Sequence, residues 1–302
     1  MIPPAPSHPH RLVYLGTPEV AVPPLEALHR AGFEIPLVVT RPDKRRGRGG
    51  ALAPSPVKAA AEALGLPVSH DPGDAAGAGA DLGVVVAYGR IIRTELLEVL
   101  PMVNLHFSLL PRWRGAAPVE RAILAGDAET GVCLMVVAPE LDTGDVYACE
   151  RVAIEPADTL DRLRHRLVAV GTGLLVDHLT SGLNPPRAQE GEPVYADKIE
   201  PHEHRLHLDR PAEVLHRVIR LGRAWCEFRG RRLKVLEAEV IPADDAAAVA
   251  VAGRGPGALA GPVVATGEGA LRLVTVQPEG KAPMAVAAWL NGAQPAPADR
   301  LA

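Results

Sequence analysis

The chain predicts an open, mostly parallel Rossmann-like α/β sheet followed by a smaller C-terminal OB-like β-barrel, on three observations. Apolar runs of strand length alternate with helical spacings from residue 11 to residue 180. Residues 82–87 form an unbroken apolar run, which suits a strand covered on both faces of a parallel sheet. Beyond residue 207 the texture changes to short strands punctuated by glycine and proline, the pattern of a small barrel.

Taken in order, residues 1–10 hold Pro3, Pro4, Pro6 and Pro9 with no hydrophobic signal core, and read as a disordered extension. A short buried strand over 11–16 enters a turn at Thr17 and Pro18, and helical spacing over 22–31 closes at Gly32. Strands over 35–40, 82–87 and 103–107 alternate with helices over 56–64 and 94–100. The polar motif that begins at Asn104 therefore sits at the carboxyl end of a sheet strand, where open α/β sheets place their ligands. Strands over 131–138 and 146–154 and a long amphipathic helix over 159–180 complete a first domain spanning 11–184. Residues 185–207, rich in proline, glycine and charge, form a linker to the second domain, 208–302. That domain starts with a helix over 211–221 and a hairpin-like pattern over 225–235. Short strands over 257–265, over 271–276 and in a terminal segment containing Trp289 follow, while residues 243–253 are a low-complexity loop.

Composition narrows the class. A chain of 302 residues, 47% apolar, is long enough for two soluble domains. No run approaches ~20 consecutive apolar residues, so no membrane span is expected. Cys133, Cys149 and Cys226 are odd in number and lack zinc spacing, which predicts neither a disulfide framework nor a structural metal, and a reducing, cytoplasmic setting. The net charge of −4 argues against an indiscriminate nucleic-acid binder. Two local basic clusters nonetheless fit a directed polyanion site: Arg41, Lys44, Arg45, Arg46 and Arg48, and a second group of Arg217, Arg220 and Arg223 with Arg229, Arg231, Arg232 and Lys234.

The chemistry lies in residues 104–118 and in Leu141-Asp142-Thr143-Gly144-Asp145. Asn104 and His106 are two apart on a strand, so both side chains point to one face and can converge on one oxygen. An amide NH₂ and an imidazole NH are both competent oxyanion donors, and Asp142 either orients His106 or manages protons with it. Acyl transfer to an amine needs no separate covalent nucleophile, because the amine itself attacks. A metal triad is a poorer reading, since asparagine is a weak ligand for transition metals. Taken singly, a histidine in an apolar strand is more often structural, and Asp142-Thr143-Gly144 is an ordinary Asx-type turn.

Their order and context resemble the methionyl-tRNA formyltransferases, within the folate-dependent formyltransferases. The resemblance covers most of the chain: Gly16-Thr17-Pro18-Glu19, Thr40-Arg41-Pro42-Asp43, Gly47-Arg48-Gly49, Pro54-Ser55-Pro56-Val57-Lys58, Val86-Ala87-Tyr88-Gly89, residues 104–118, Ala125-Gly126-Asp127, Thr130-Gly131 and the segment around Asp142. It implies the formyltransferase fold, 10-formyltetrahydrofolate as donor and initiator methionyl-tRNA as acceptor; a monomer is the simplest expectation, and the residue chemistry above predicts no metal. By the same resemblance Asn104, His106 and Asp142 are catalytic. Ser108, Leu109, Leu110, Pro111, Val86, Ala87, Tyr88, Gly89 and Leu141 belong to the folate site. The basic loop over 40–50, with Arg48 in the place of the family's key arginine, meets the acceptor stem, and the second basic cluster holds the tRNA flank. The chain departs from the family at Leu221-Gly222-Arg223-Ala224-Trp225, where an aromatic and proline-rich turn is usual, and in the histidines His202, His204 and His207. Three other readings are a formyltransferase for a smaller amine, a dehydrogenase and a non-catalytic tRNA-binding module. The second domain argues against the first, the lack of G-x-G-x-x-G after the first strand against the second, and the intact Asn104, His106 and Asp142 against the third.

Overall fold

The alternating strands and helices of the first two-thirds of the chain assemble around one sheet. The computed structural model describes residues 2–46 and 50–302, so Arg48 with its flanking glycines lies outside the described residues. In order the elements are β1 (Arg11–Gly16), α1 (Val22–Arg30), β2 (Glu34–Val39), β3 (Lys44–Arg46), β4 (Ala51–Ala53), α2 (Pro56–Ala63), β5 (Val68–Ser69), β6 (Leu82–Val86) and α3 (Thr94–Leu97). They continue through β7 (Met102–His106), β8 (Arg114–Gly115), α4 (Pro118–Ala125), β9 (Glu129–Val136), β10 (Val146–Ala153), α5 (Leu160–Ser181) and β11 (Tyr195–Ala196). The seven-stranded sheet has the order β10-β9-β7-β6-β1-β2-β5. Neighbours from β7 through β5 are parallel, and β9 and β10 join antiparallel at one edge.

Winding runs outward from β1 to β2 and β5, then returns to β6 and β7 on the other side. The direction thus reverses between β1 and β6, and at such a reversal the strand ends splay apart to leave a crevice. There Thr17 Oγ1 donates to the Tyr88 carbonyl at 3.2 Å, linking the two strand ends. β6 is buried along its whole length, as its apolar run requires. The back of β7 is covered by α5, where a Cβ at Gly171 would sit 2.9 Å from Val132 and 3.0 Å from Leu105, so glycine permits the close approach. Burying side chains such as Leu105 and Val132 contributes about 1.5–3 kcal/mol each.

Two compact units divide the chain. One comprises Met1–Val119, Ala128–Ile154 and Leu163–Asp197, the other Glu120–Asp127, Glu155–Arg162 and Lys198–Ala302. Within the second, Arg220 caps the 155–158 turn by donating to the carbonyls of Asp158 at 2.5 Å and Glu155 at 3.0 Å. Its further elements are α6 (Ala212–Arg220), β12 (Trp225–Phe228), β13 (Arg231–Ile241), α7 (Ala246–Val249), β14 (Leu259–Ala260), β15 (Val263–Ala265), β16 (Ala270–Pro278), β17 (Met284–Ala285) and α8 (Val286–Ala293). The antiparallel order is β12-β13-β16-β15-β14, with β17 also on β16. The last residues close the two edges into a barrel: Leu301 bridges Phe228 of β12, and Arg300 bridges Ala258 just before β14. Closure of this kind removes the unpaired edge.

Three expectations need correction. Trp289 lies on a helix, α8, where the Ala/Leu-rich segment packs its indole edge-on against Phe228 at 5.1 Å. Residues 2–10 form neither helix nor strand but are tied down: Ser7 accepts from the Leu183 amide at 2.7 Å, and Asp81 accepts from the His10 and Arg11 amides at 2.9 Å each. Those two amides hold the Asp81 carboxyl below the usual range. Finally, Cys133 and Cys149 form a disulfide, against the expectation of none. Sixteen residues apart in sequence, they stand on the same rung of the β9–β10 ladder, a juxtaposition that counting cysteines does not reveal.

Burial pushes the thiol of Cys226 up to about 12, so it stays unreactive at ordinary pH. Thiol titration at mild alkaline pH is therefore expected to find no reactive group in the native oxidised protein, one after denaturation, and all three after denaturation and reduction. Three thiols in the denatured, unreduced protein would rule out the Cys133–Cys149 bond.

Candidate active site

β7 delivers the two central side chains, since its alternation puts Asn104 and His106 on one face. Just beyond it the chain doubles back. Buried Ser108 donates its hydroxyl to the Arg112 carbonyl at 2.6 Å, and the Arg112 amide donates to Leu109 O at 3.1 Å. The turn returns Trp113, a non-glycine residue at φ +64, so that its carbonyl lies 2.9 Å from His106 Nε2. A carbonyl only accepts, so Nε2 carries the hydrogen and Nδ1 is the nitrogen left to react. The imidazole NH expected as an oxyanion donor is thus committed to Trp113.

Nδ1 faces Asp142, whose Oδ2 is 3.6 Å away. The ring is 6% exposed and the carboxylate 11%, so water screens the pair little. The same Oδ2 accepts from the Gly115 amide at 2.8 Å. Asp142 sits at φ +53 on the loop joining β9 and β10, and that loop is pressed against β9 at Gly144. A second brace comes from the segment expected to be a linker. Its Gln189 Nε2 donates to the carbonyls of Asp142 at 2.9 Å and Gly144 at 2.8 Å, while its Oε1 accepts from Arg114 at 2.6 and 3.0 Å. Residues 187–196 run as a strap, pairing Arg187 with Val146 and β11 with β8. The Asn104 amide has no hydrogen-bond partner among the described residues.

The remaining residues expected at the site fall as follows. Val86 ends β6, and Ala87 and Gly89 follow in left-handed conformations at φ +46 and +71. Between them the Tyr88 ring is buried among Val13, Leu15 and Leu97, so this turn presents backbone. Leu109 packs on Gly131, a cis peptide joins Leu110 to Pro111, and Leu141 is 62% exposed.

Among the basic residues, Arg41 donates to the Gly89 carbonyl. Lys44 and Arg45 are exposed on β3, which also carries Arg46 and pairs with β4. Instead of an open loop, the described part of the 40–50 segment is a hairpin arm. Pro54-Ser55-Pro56-Val57-Lys58 anchors it: Ser55 caps α2 by accepting from the Lys58 amide at 3.0 Å, Pro56 fills the first helical position, and Lys58 Nζ grips Asp43 at 2.8 and 2.9 Å. The Asp43 carboxylate raises the Lys58 ammonium above its ordinary range. Ser–Pro before an apolar helical run is the local cap signal that marks this anchor in the residues themselves. In the second unit, Arg232 lies over the Trp225 ring at 4.0 Å, and Arg231 and Lys234 are exposed. Arg229 is engaged by Asp299 at 2.6 Å and by the carbonyls of Ala293 and Gln294, so it braces the barrel.

Chemically, the first unit gathers, on the face of a strand, an amide with no partner among the described residues and an imidazole whose reactive nitrogen faces a carboxylate. Such a set suits addition to a carbonyl, in which charge develops on oxygen while an attacking group sheds a proton.

The chain is similar to known proteins over nearly its whole length. Residues 10–179 match the formyl transferase family and residues 198–294 the formyl transferase C-terminal domain. The chain is 44% identical to the methionyl-tRNA formyltransferase of Symbiobacterium thermophilum over 306 aligned positions, covering 93% of this chain and 92% of that protein. It is 43% identical to that of Roseobacter denitrificans, covering 93% and 95%. HypX from Aquifex aeolicus, solved in complex with tetrahydrofolic acid, shares the fold with a TM-score of 0.63 at 17% identity, covering 94% of this chain and 47% of HypX.

The packing of the Asp142 loop makes Gly144 its sensitive point. A Cβ there would lie 2.0 Å from the Val136 carbonyl oxygen, so Gly144→Ala must displace the loop. We expect a loss of about 1–3 kcal/mol in denaturant titrations. Thr143→Ala, which removes only a hydroxyl donated to Glu140 O at 3.2 Å, should cost less than about 1 kcal/mol. Equal stabilities for the two variants would contradict this packing.

Proposed function

This chain belongs to the formyl transferase family, and from that premise we propose that it transfers the formyl group of 10-formyltetrahydrofolate to the α-amino group of methionine on initiator methionyl-tRNA, for translation initiation. The observation that carries the reading is the match over 93% of the chain, both domains included, to methionyl-tRNA formyltransferases. A small-amine acceptor would leave the match of both domains to methionyl-tRNA formyltransferases without a reason. The protein acts as a monomer in the cytoplasm.

In this reading the methionyl amine attacks the formyl carbon, and negative charge develops on the formyl oxygen. Asn104 meets that oxygen with an amide N–H, a donor supported by its lack of any other partner among the described residues. His106, its Nε2 engaged by Trp113 and its Nδ1 on the side of Asp142, takes the amine proton on Nδ1. Asp142 holds the imidazole oriented and stabilises the positive charge it gains on taking the amine proton. Breaking the bond from the formyl carbon to folate nitrogen then returns a proton to that nitrogen.

The pterin is lined by the backbone of residues 86–89 and by Ser108, Leu109, Leu110, Pro111 and Leu141. The left-handed turn at Ala87 and Gly89 and the exposed Leu141 side chain fit a flat ring with polar edges. Arg41, Lys44, Arg45, Arg46 and Arg48 meet the acceptor stem, and Arg231, Arg232 and Lys234, with Arg229 as their brace, meet the tRNA flank.

A transfer assay with fresh 10-formyltetrahydrofolate and charged initiator tRNA tests the reading. Wild-type protein is expected to formylate the initiator and to leave small amines untouched. Asn104→Ala should lower turnover by about 100- to 1,000-fold, the effect of removing one oxyanion donor. Absence of transfer by well-folded protein would overturn the proposal. In the same assay, neutralising Arg45, Arg46 and Arg48 should raise the tRNA requirement and flatten its salt dependence while folate binding is unchanged. Equal loss of both would assign the arm to folding.

A further inference from the structure

The Asp142 carboxylate is fixed by the Gly115 amide at 2.8 Å, but its backbone sits at φ +53, where a non-glycine residue is held only by its surroundings. One side chain holds it there. Gln189 Nε2 donates to the carbonyls of Asp142 and Gly144, on either side of Thr143. Its Oε1 accepts both Nε and Nη2 of Arg114, the residue immediately before Gly115. The contacts therefore form a closed circuit. It runs from the Asp142 carbonyl through Gln189 to Arg114, along the chain to the Gly115 amide, and back to Asp142 Oδ2.

Only a glutamine side chain serves both ends of this circuit. It needs two donors on one atom and an acceptor on the other, at this reach. Glutamate lacks the donors, lysine lacks the acceptor, and asparagine is one methylene short. The strap that carries Gln189 is itself pinned on both sides, by Arg187 to Val146 and by β11 to β8.

We propose that Gln189 is a positioning residue for formyl transfer, acting through Asp142: it locks the loop so that the carboxylate stays aimed at His106 Nδ1. The role rests on the function proposed above. Its consequence falls on turnover, because its bonds to the loop go to the carbonyls of Asp142 and Gly144 and so set the aim of the carboxylate. A displacement of about 1 Å at a reacting group can cost on the order of 100-fold in rate.

The test uses Gln189→Glu in the full-length protein. The change keeps the length and the acceptor for Arg114, and replaces the two donors by an oxygen facing two carbonyls. Steady-state transfer from 10-formyltetrahydrofolate to charged initiator tRNA should show kcat reduced by about 10-fold or more. KM for both substrates should stay within about 2-fold. In an Asp142→Asn background the same change should add less than about 2-fold, since residues acting through one group are not additive. Glu190→Ala, one residue along the strap and exposed, should leave kcat unchanged. If Gln189→Glu does not fold, Gln189→Ala, which deletes the clamp without adding charge, carries the same expectations. An unchanged kcat, a loss confined to KM, or full additivity with Asp142→Asn would overturn the role. The wild-type rate separates the two claims: no wild-type transfer overturns the proposed function, whereas normal wild-type transfer with an unaffected variant overturns the role of Gln189 alone.

Discussion

The hydrogen bond from His106 Nε2 to the Trp113 carbonyl is the contact on which the rest of the site depends. A buried imidazole with an unpaired N–H loses about 1–3 kcal/mol, so the return of Trp113 fixes both the ring and its tautomer. With Nε2 committed, Nδ1 faces Asp142, and Asp142 is answered by the Gly115 amide two residues beyond Trp113. One stretch of backbone thus holds both partners. It does so at a cost, because Trp113 and Asp142 both occupy the left-handed region, at about 1–3 kcal/mol each for non-glycine residues. Such conformations persist where surrounding contacts over-determine them, and here those contacts are the Ser108 turn on one side and Gln189 on the other.

The sheet supplies the rigidity that these loops lack. β7 lies between β6 and β9, its back covered by α5, so the face carrying Asn104 and His106 cannot shift without breaking two ladders. The reversal of winding between β1 and β6 opens a crevice at the same carboxyl ends, lined by the turn after β6. The basic hairpin is held to this body by the Lys58–Asp43 pair and the buried Thr40–Ser55 hydrogen bond, at 2.7 Å. An arm anchored at its base and basic along β3 suits a polyanion partner better than an evenly charged surface does.

Much of this was legible in the residues because it is local. The period of two along β7 put Asn104 and His106 on one face, and the apolar run of β6 announced a buried strand. What escaped depends on contacts distant in sequence. Gln189 lay in a stretch that composition marks as a linker, and only its pairing with residues 114, 142 and 144 gives it a role. Cys133 and Cys149 became partners through the register of β9 with β10. Barrel closure by residues 300–301 has no local signature, since an isolated bridge needs no β-rich run. Arg229 read as one of a basic cluster, and Asp299, seventy residues on, is what turns it to the barrel.

Imidazole nitrogen NMR on histidine-labelled protein, with His106→Gln to assign the signal, tests the central claim most directly. The ring proton of His106 should reside on Nε2, and Asp142→Asn should perturb Nδ1 while leaving the Nε2 proton in place. A neutral His106 ring with its proton on Nδ1 and Nε2 bare would contradict the Trp113 anchor and, with it, the orientation of the whole site.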